Sequence, residues 1–417
     1  MQNRHPELLI PAGSLEVLKV AVLYGANAVY IGGDAFGLRA KAKNFSREEM
    51  REGIEFAHAH NVKVYVTANI YAHDADLEQA AVYFRELGEL KPDAILVADP
   101  GMFDLAQQNC PDIDLHISTQ ANNTNYATAL FWKRLGATRV VTARELSLNE
   151  IRDIRAHIPE DLEIETFIHG AMCISYSGRC LLSSYLAGRD ANRGACTHPC
   201  RWKYAVMEET RPGEYMPVEE NERGTYIFNS RDLCMIDHLP DLYEAGIDSF
   251  KIEGRMKTAL YVATCARTYR LAMDAYERDP KEYEAKLDWY REQISDCTYR
   301  HFTTGFFYGR PDHDDQIYDS NTYVRAYTYL GLIQHKDADG YLVFEQKNKF
   351  TVGEKIEIMK PDGRNVIAEV LDIRTAEGEQ MTSAPHPKQE LHVKLSEEAE
   401  PFDILRRKEP EENTSES

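Results

Sequence analysis

Cys173, Cys180, Cys196 and Cys200 lie in one short segment, and Cys234 follows it. Five of the eight cysteines therefore fall within residues 173–234. Cys110, Cys265 and Cys297 sit in or beside helical patterns, where a cysteine behaves as a small buried hydrophobe. A thiolate-bound metal needs several sulfurs converging within bonding reach. The spacing here, C-x6-C and then C-x3-C, is unlike the paired knuckles of a zinc ribbon and looser than ferredoxin spacing. Spacing alone leaves an iron–sulfur centre, a zinc site and redox or structural thiols open. A disulfide is disfavoured: the opening MQNRHPELLIPAG lacks a charged region followed by a long apolar stretch, so a cytoplasmic chain with reduced thiols is expected.

Other chemistry-bearing residues fall where strands should end. Short β-branched runs alternate with amphipathic helices through the first 260 or so residues. Strands are expected at 7–13, 28–33, 62–69, 94–99, 115–120, 139–145, 162–170 and 249–255. Helices are expected at 14–26, 46–60, 74–90 and 147–158, with a long one from 257 to 277. Eight strands in this alternation predict a parallel (β/α)8 barrel, an α/β fold whose chemistry sits at the C-terminal strand ends. No G-x-G-x-x-G follows the first strand to favour an open dinucleotide-binding sheet. The strand ends carry Gly32, Gly33, Asp34, Asn69, Asp99, Ser118, Thr119, Gln120, Arg144, Glu145, His169, Gly170, Lys251, Glu253 and Arg255.

From these, His169, Glu253 and Asn69 are the candidate catalytic residues. His169 suits a proton donor, a neighbour of a metal centre or a core hydrogen-bonder. Arg144, Lys251 and Arg255 are cations on strands that neighbour in a barrel, and guanidinium forks suit a dicarboxylate. The competing reading pairs them with Glu145 and Glu253.

Domain organisation follows from the change of pattern. Residues 1–320 form the barrel, with a cysteine-rich insertion over about 171–248 that includes a hairpin-like piece at 203–228. From 321 to 407 short alternating strands separated by turns predict a small all-β barrel domain, and the polar tail 408–417 reads as disordered. No apolar run is long enough to span a bilayer, so no membrane partner is expected.

The chain carries a net charge of −20, which excludes nucleic-acid binding by bulk electrostatics. The insertion differs: residues 173–203 hold Arg179, Arg189, Arg193, Arg201 and Lys203 against Asp190 alone, a local +4. Arg193, Arg201, Trp202 and Lys203 are the candidate RNA-binding residues, with Tyr185 and Tyr204 as further stacking surfaces. Pairing of these arginines with acidic neighbours such as 219–223 is the alternative.

The pattern E-x-F-x-x-G-A-M-C-x-x-x-x-G-x-C-x-L-S, running from Glu165 through Cys173 and Cys180 to Ser183, resembles the signature of the U32 (collagenase-like) peptidase family. ELLIPAG, AVYIGGDAFGLRA, RGACTHPCRW and SFKIEGRMK resemble the same family, and the likeness spans most of residues 7–310. Despite the family name, its better-understood members resemble oxygen-independent hydroxylases that carry a [4Fe–4S] cluster on four cysteines, some acting in ubiquinone synthesis and some on RNA. RGACTHPCRWKY and the added β domain look most like members that hydroxylate C5 of the wobble uridine of tRNA and depend on prephenate. By that resemblance the cluster ligands are Cys173, Cys180, Cys196 and Cys234, with Cys200 competing for the third place. The expected partners are the tRNA anticodon loop, prephenate or a related dicarboxylate, and a related family member as partner subunit. The alternatives are a collagenase-like peptidase and a zinc-stapled RNA-binding module. The sequence holds neither H-E-x-x-H nor G-x-S-x-G to support proteolysis.

Overall fold

The computed structural model describes residues 5–37, 44–172, 175–177, 179–189, 191–192, 195–199, 205–207, 215–217, 229–296, 301–309, 316–317 and 326–409. By their contacts these divide into two units, one drawn from 1–19, 27–256 and 300–322, the other from 20–26, 257–299 and 323–417.

The first unit is built on a closed parallel barrel. Its strands are β1 (Glu7–Pro11), β2 (Ala28–Gly32), β3 (Lys63–Thr67), β4 (Ala94–Val97), β5 (Asp114–Ile117), β6 (Arg139–Val141), β7 (Glu163–Ala171) and, after β8 (Asp232–Cys234), β9 (Ser249–Ile252). Neighbours pair in that order, and β9 closes the ring by pairing in parallel with both β7 and β1. AVYIG and AILV are buried at every position, as strands covered on both faces must be. The expected strands are all present, each ending a few residues earlier than the apolar run except β7, which continues to Ala171.

The connecting helices start where side chains satisfy the free N–H groups of the first turn. Ser46 and Glu49 form a reciprocal capping box on Arg47–Ala59, and Ser147 and Glu150 do so on Leu148–His157. Two further helices, Pro100–Asn109 and Tyr126–Leu135, were not expected from periodicity. Their signals are local. Asp99 caps a helix that has Pro100 in its first turn, while Asn125 caps the other before Gly136 ends it at φ +107°.

The insertion between β7 and β9 returns to the barrel through β8. This strand runs antiparallel to the end of β7, with Asp232 opposite Ala171, Leu233 opposite Gly170 and Cys234 opposite His169. Earlier in the insertion, Ala205–Met207 pairs antiparallel with Tyr215–Pro217, inside the expected hairpin-like piece.

The second unit holds the long helix Ala259–Arg278 and an antiparallel β domain. The domain's sheet runs from Tyr327–Leu332 through Ile404–Lys408, Lys355–Met359, Asn365–Thr375 and Glu390–Leu395 to Leu342–Glu345 and His335–Lys336. Its core is mostly aliphatic and includes Phe344 and Phe350. Arg406, wholly buried, is held by Glu357 at 2.7 Å and Asp296 at 3.0 Å. No helix among the described residues is long and apolar enough to cross a membrane.

Candidate functional site at the barrel mouth

The C-terminal strand ends are organised around one turn, Glu253–Gly254–Arg255, directly after β9. Three glycines, in or just after three other strands, lie against it. A Cβ on Gly13, after β1, would sit 2.2 Å from the Arg255 carbonyl oxygen. One on Gly170, at φ +107° near the end of β7, would sit 2.6 Å from the Glu253 carbonyl oxygen. One on Gly32, the last residue of β2, would meet the Arg255 guanidinium at 2.4 Å. At Gly13 and Gly170 the obstacle is backbone, so glycine is required there, whereas a side chain at position 32 would have to displace the Arg255 guanidinium. The main-chain N–H of Glu253 donates to the His169 carbonyl at 2.9 Å, which ties the turn to β7.

Arg255 is buried, and its guanidinium donates to Thr67 Oγ1 at 2.7 Å. Arg144 lies over the Phe167 ring at 3.9 Å from its centroid, donates to the Ala171 carbonyl at 3.0 Å and reaches Glu253 at 3.5 Å. Lys251 is differently engaged: its ammonium donates to Glu165 at 2.6 Å, and both groups are buried. Glu165 also accepts from Arg139 at 3.1 Å, and Arg139 reaches Glu7 at 2.8 Å. The barrel interior therefore holds a run of alternating charges that includes Lys251. Burial alone would raise the Glu7 carboxyl, but Arg139, Tyr65 and Lys63 together outweigh it and hold the group below its ordinary value. Among the three expected mouth cations, Arg144 approaches Glu253 as the competing reading had it, whereas the partner of Lys251 is Glu165. Glu145 is half-buried, and that burial pushes its carboxyl up.

His169 is buried, with its ring 5.7 Å from that of Phe302 and Cys234 across the ladder. The register between β7 and β9 skips one residue at this level, from Phe167 opposite Lys251 to His169 opposite Ile252. Such an irregularity re-aims the side chains beside it.

On the other side of the mouth, Asn69 follows β3, and Ser118 and Gln120 follow β5. The Asn69 amide N–H2 donates to Ser118 Oγ at 2.9 Å and to Gln120 Oε1 at 3.0 Å, and the Ser118 hydroxyl also donates to Gln120 Oε1. All three residues are buried. Tyr71 closes this cluster, its hydroxyl donating to the Gln120 carbonyl.

The cysteine-rich insertion docks on the same tyrosine. Arg179 lies over the Tyr71 ring at 4.7 Å, and Asn192 makes two hydrogen bonds with the Tyr71 main chain, at 3.1 and 3.2 Å. Within the insertion, the Thr197 N–H donates to Ser183 Oγ at 3.0 Å. That bond brings the chain just after Cys180 against the chain just after Cys196. Cys180 and Cys196 are free thiols, and Cys196 Sγ accepts the His198 N–H at 3.3 Å. Among the described residues no three His, Cys, Asp or Glu side chains converge as a metal site. Cys173 and Cys200, together with the RNA-binding candidates Arg193, Arg201, Trp202 and Lys203, lie outside the described residues, as does the Tyr185 side chain. Thr67, Tyr71 and Glu165 were not singled out from sequence as site residues. Glu165 alone had a signal, as the first residue of the signature pattern.

Comparison with known proteins supports the sequence resemblance. Residues 13–317 match Peptidase family U32, and residues 325–406 match the Peptidase family U32 C-terminal domain. The chain is similar to "tRNA hydroxylation protein P1" of Bacillus subtilis, at 40% identity over 97% of this chain and 95% of that one. It is 38% identical to "tRNA hydroxylation protein P" of Escherichia coli over 91% of each. It is 35% identical to the "23S rRNA 5-hydroxycytidine C2501 synthase" of the same organism, over 76% of this chain and 47% of that one. The barrel, its insertion and the antiparallel domain are those of Peptidase family U32, to which the chain belongs.

Proposed function

We propose that the chain is an RNA hydroxylase that converts a tRNA wobble uridine to 5-hydroxyuridine, with prephenate or a related dicarboxylate as co-substrate. The observation that carries the reading is similarity along nearly the whole chain to proteins named for tRNA hydroxylation. The similarity to an rRNA hydroxycytidine synthase points to the same reaction class, hydroxylation of a pyrimidine in RNA.

Hydroxylation at C5 exchanges a C–H bond for C–OH and is a two-electron oxidation of the ring, so the reaction needs a redox centre or co-reactant. The donor chemistry of the insertion fits a [4Fe–4S] cluster: it supplies the cysteines Cys180, Cys196 and Cys234, Cys173 would complete the set, and Cys200 competes with Cys196 for the third place. Such a cluster, when bound, supplies one-electron transfer. The chain's own residues supply the rest. Arg144 and Arg255 are the guanidinium groups offered to the carboxylates of the co-substrate, with Lys251 below them held by Glu165. His169, beside Cys234, is the candidate proton donor, and Glu253 fixes Arg144. The basic insertion, with Arg193, Arg201, Trp202 and Lys203, is the surface proposed to receive the anticodon loop.

The test is nucleoside analysis of tRNA from a strain lacking this protein and its relatives, complemented by wild-type chain or by Cys234→Ser. Wild type is expected to restore 5-hydroxyuridine-derived nucleosides, and Cys234→Ser to lose at least nine-tenths of them. A wild-type chain that restores none, or a Cys234→Ser chain that is fully active, defeats the reading. In parallel, iron and acid-labile sulfide measured after anaerobic purification are expected near four of each per chain.

A further inference from the structure

The polar cluster of Asn69, Ser118 and Gln120 does not use all of its own hydrogen-bonding groups. Its internal bonds couple the two amides: Gln120 Oε1 accepts from Asn69 Nδ2 and from the Ser118 hydroxyl, so the oxygen of one amide is set against the nitrogen of the other. Asn69 uses its nitrogen for both of its bonds in the cluster. Two groups then remain to be accounted for. Asn69 Oδ1 is a buried acceptor with no hydrogen-bond partner, in a residue only 6% exposed. The Gln120 amide N–H2 is not used inside the cluster, where Gln120 serves only as acceptor.

A buried acceptor without a partner costs roughly 1–3 kcal/mol, and such a group in a folded protein calls for an explanation. Its place in the fold offers one. Asn69 lies two residues beyond Thr67, which receives the Arg255 guanidinium, and Tyr71 walls the cluster where the cysteine-rich insertion docks. The pair sits at the C-terminal end of the barrel strands, where substrates of this architecture bind.

We propose that Asn69 and Gln120 are the specificity-determining pair that reads the uracil ring. An acceptor beside a donor complements a lactam edge, –N(H)–C(=O)–. Uracil N3–H would donate to Asn69 Oδ1, and the adjoining ring carbonyl would accept from Gln120 Nε2. Ser118 acts as a positioning residue, because its hydroxyl accepts from Asn69 Nδ2 and donates to Gln120 Oε1 and so keeps the two amides in opposite senses. Cytosine carries no hydrogen on N3, so the register that suits uracil leaves Asn69 Oδ1 without a donor. Sites built to hydrogen-bond a ring N–H reject analogues lacking it far better than apolar pockets reject an extra methyl group.

The inference rests on the proposed RNA hydroxylase reading, and the test separates the two. Anaerobically purified full-length protein is titrated with a fluorescent anticodon stem–loop carrying uridine at the wobble position, and with the same RNA carrying 3-methyluridine or cytidine there. Wild type is expected to prefer uridine by roughly 10²-fold over 3-methyluridine, and Asn69→Ser and Gln120→Ala are each expected to reduce that preference below about threefold. Because the readout is a ratio measured on one preparation, partial unfolding of a variant does not imitate the effect. Ser118→Ala, which removes that constraint, is expected to weaken the preference for uridine over cytidine while retaining RNA binding. If wild type restores 5-hydroxyuridine in cells but both variants at 69 and 120 keep the full preference, the amide pair is not the reader and the functional reading stands. If wild type restores no modification and binds none of the RNAs, both fall together.

Discussion

Lys251 shows how a residue's type is legible from sequence while its role is set by its neighbours. Placed by number at a strand end, it reads as a cation for substrate. In the barrel its ammonium donates to Glu165, which Arg139 also engages. Removing one member of a buried pair leaves the other charge unpaired in a medium that solvates it poorly. Lys251→Met is therefore expected to cost about 3–5 kcal/mol of stability, measured by urea unfolding, and the double change with Glu165→Leu to recover much of that loss. If the single change cost under about 1 kcal/mol, the pair would be behaving as a solvated one. Asn69 and Gln120 make the complementary case. Both stood among the strand-end residues, but the direction of each amide depends on partners more than forty residues away along the chain.

At the level of elements, the barrel was legible because fully buried parallel strands leave unbroken apolar runs such as AVYIG and AILV. The two unexpected helices were hidden because Pro100–Asn109 mixes Gly101 and polar residues into its face, and Tyr126–Leu135 leaves Phe131 and Leu135 exposed. Nor could sequence say where the insertion lands: its docking on Tyr71 is made by one arginine and one asparagine distant in the chain. Asn192→Ala removes two hydrogen bonds from that joint, worth about 1–2 kcal/mol together. It is expected to speed amide exchange across 175–199 severalfold while leaving the β2 and β3 amides unchanged, as hydrogen–deuterium exchange would report. Equal exchange in wild type and variant would show that other contacts fix the insertion.

At the scale of the whole molecule, stability should carry a pH signature from the second unit. Burial pushes the Asp296 carboxyl up from 3.8 to about 6, against the pull of Arg406. The native state then binds this proton more tightly than the unfolded chain does. Its contribution is fully present below the unfolded value and is lost as pH rises through the folded one. Asp296→Asn cannot titrate. Wild type is therefore expected to lose up to about 3 kcal/mol relative to the variant between roughly pH 4 and 6, measured by unfolding at each pH. A difference independent of pH would mean that the Arg406 pair keeps Asp296 charged throughout. The first unit has its own global property in the turn that bears Arg255, whose backbone rests on Gly13 after β1 and Gly170 of β7 while its guanidinium lies against Gly32 of β2. That turn is a keystone. Until the last strand has entered between the first and the seventh, no surface exists to seat it, so the guanidinium reaches its place only when the ring is complete. A half-built barrel thus has no half-built mouth, and assembly of the site and closure of the fold become a single event.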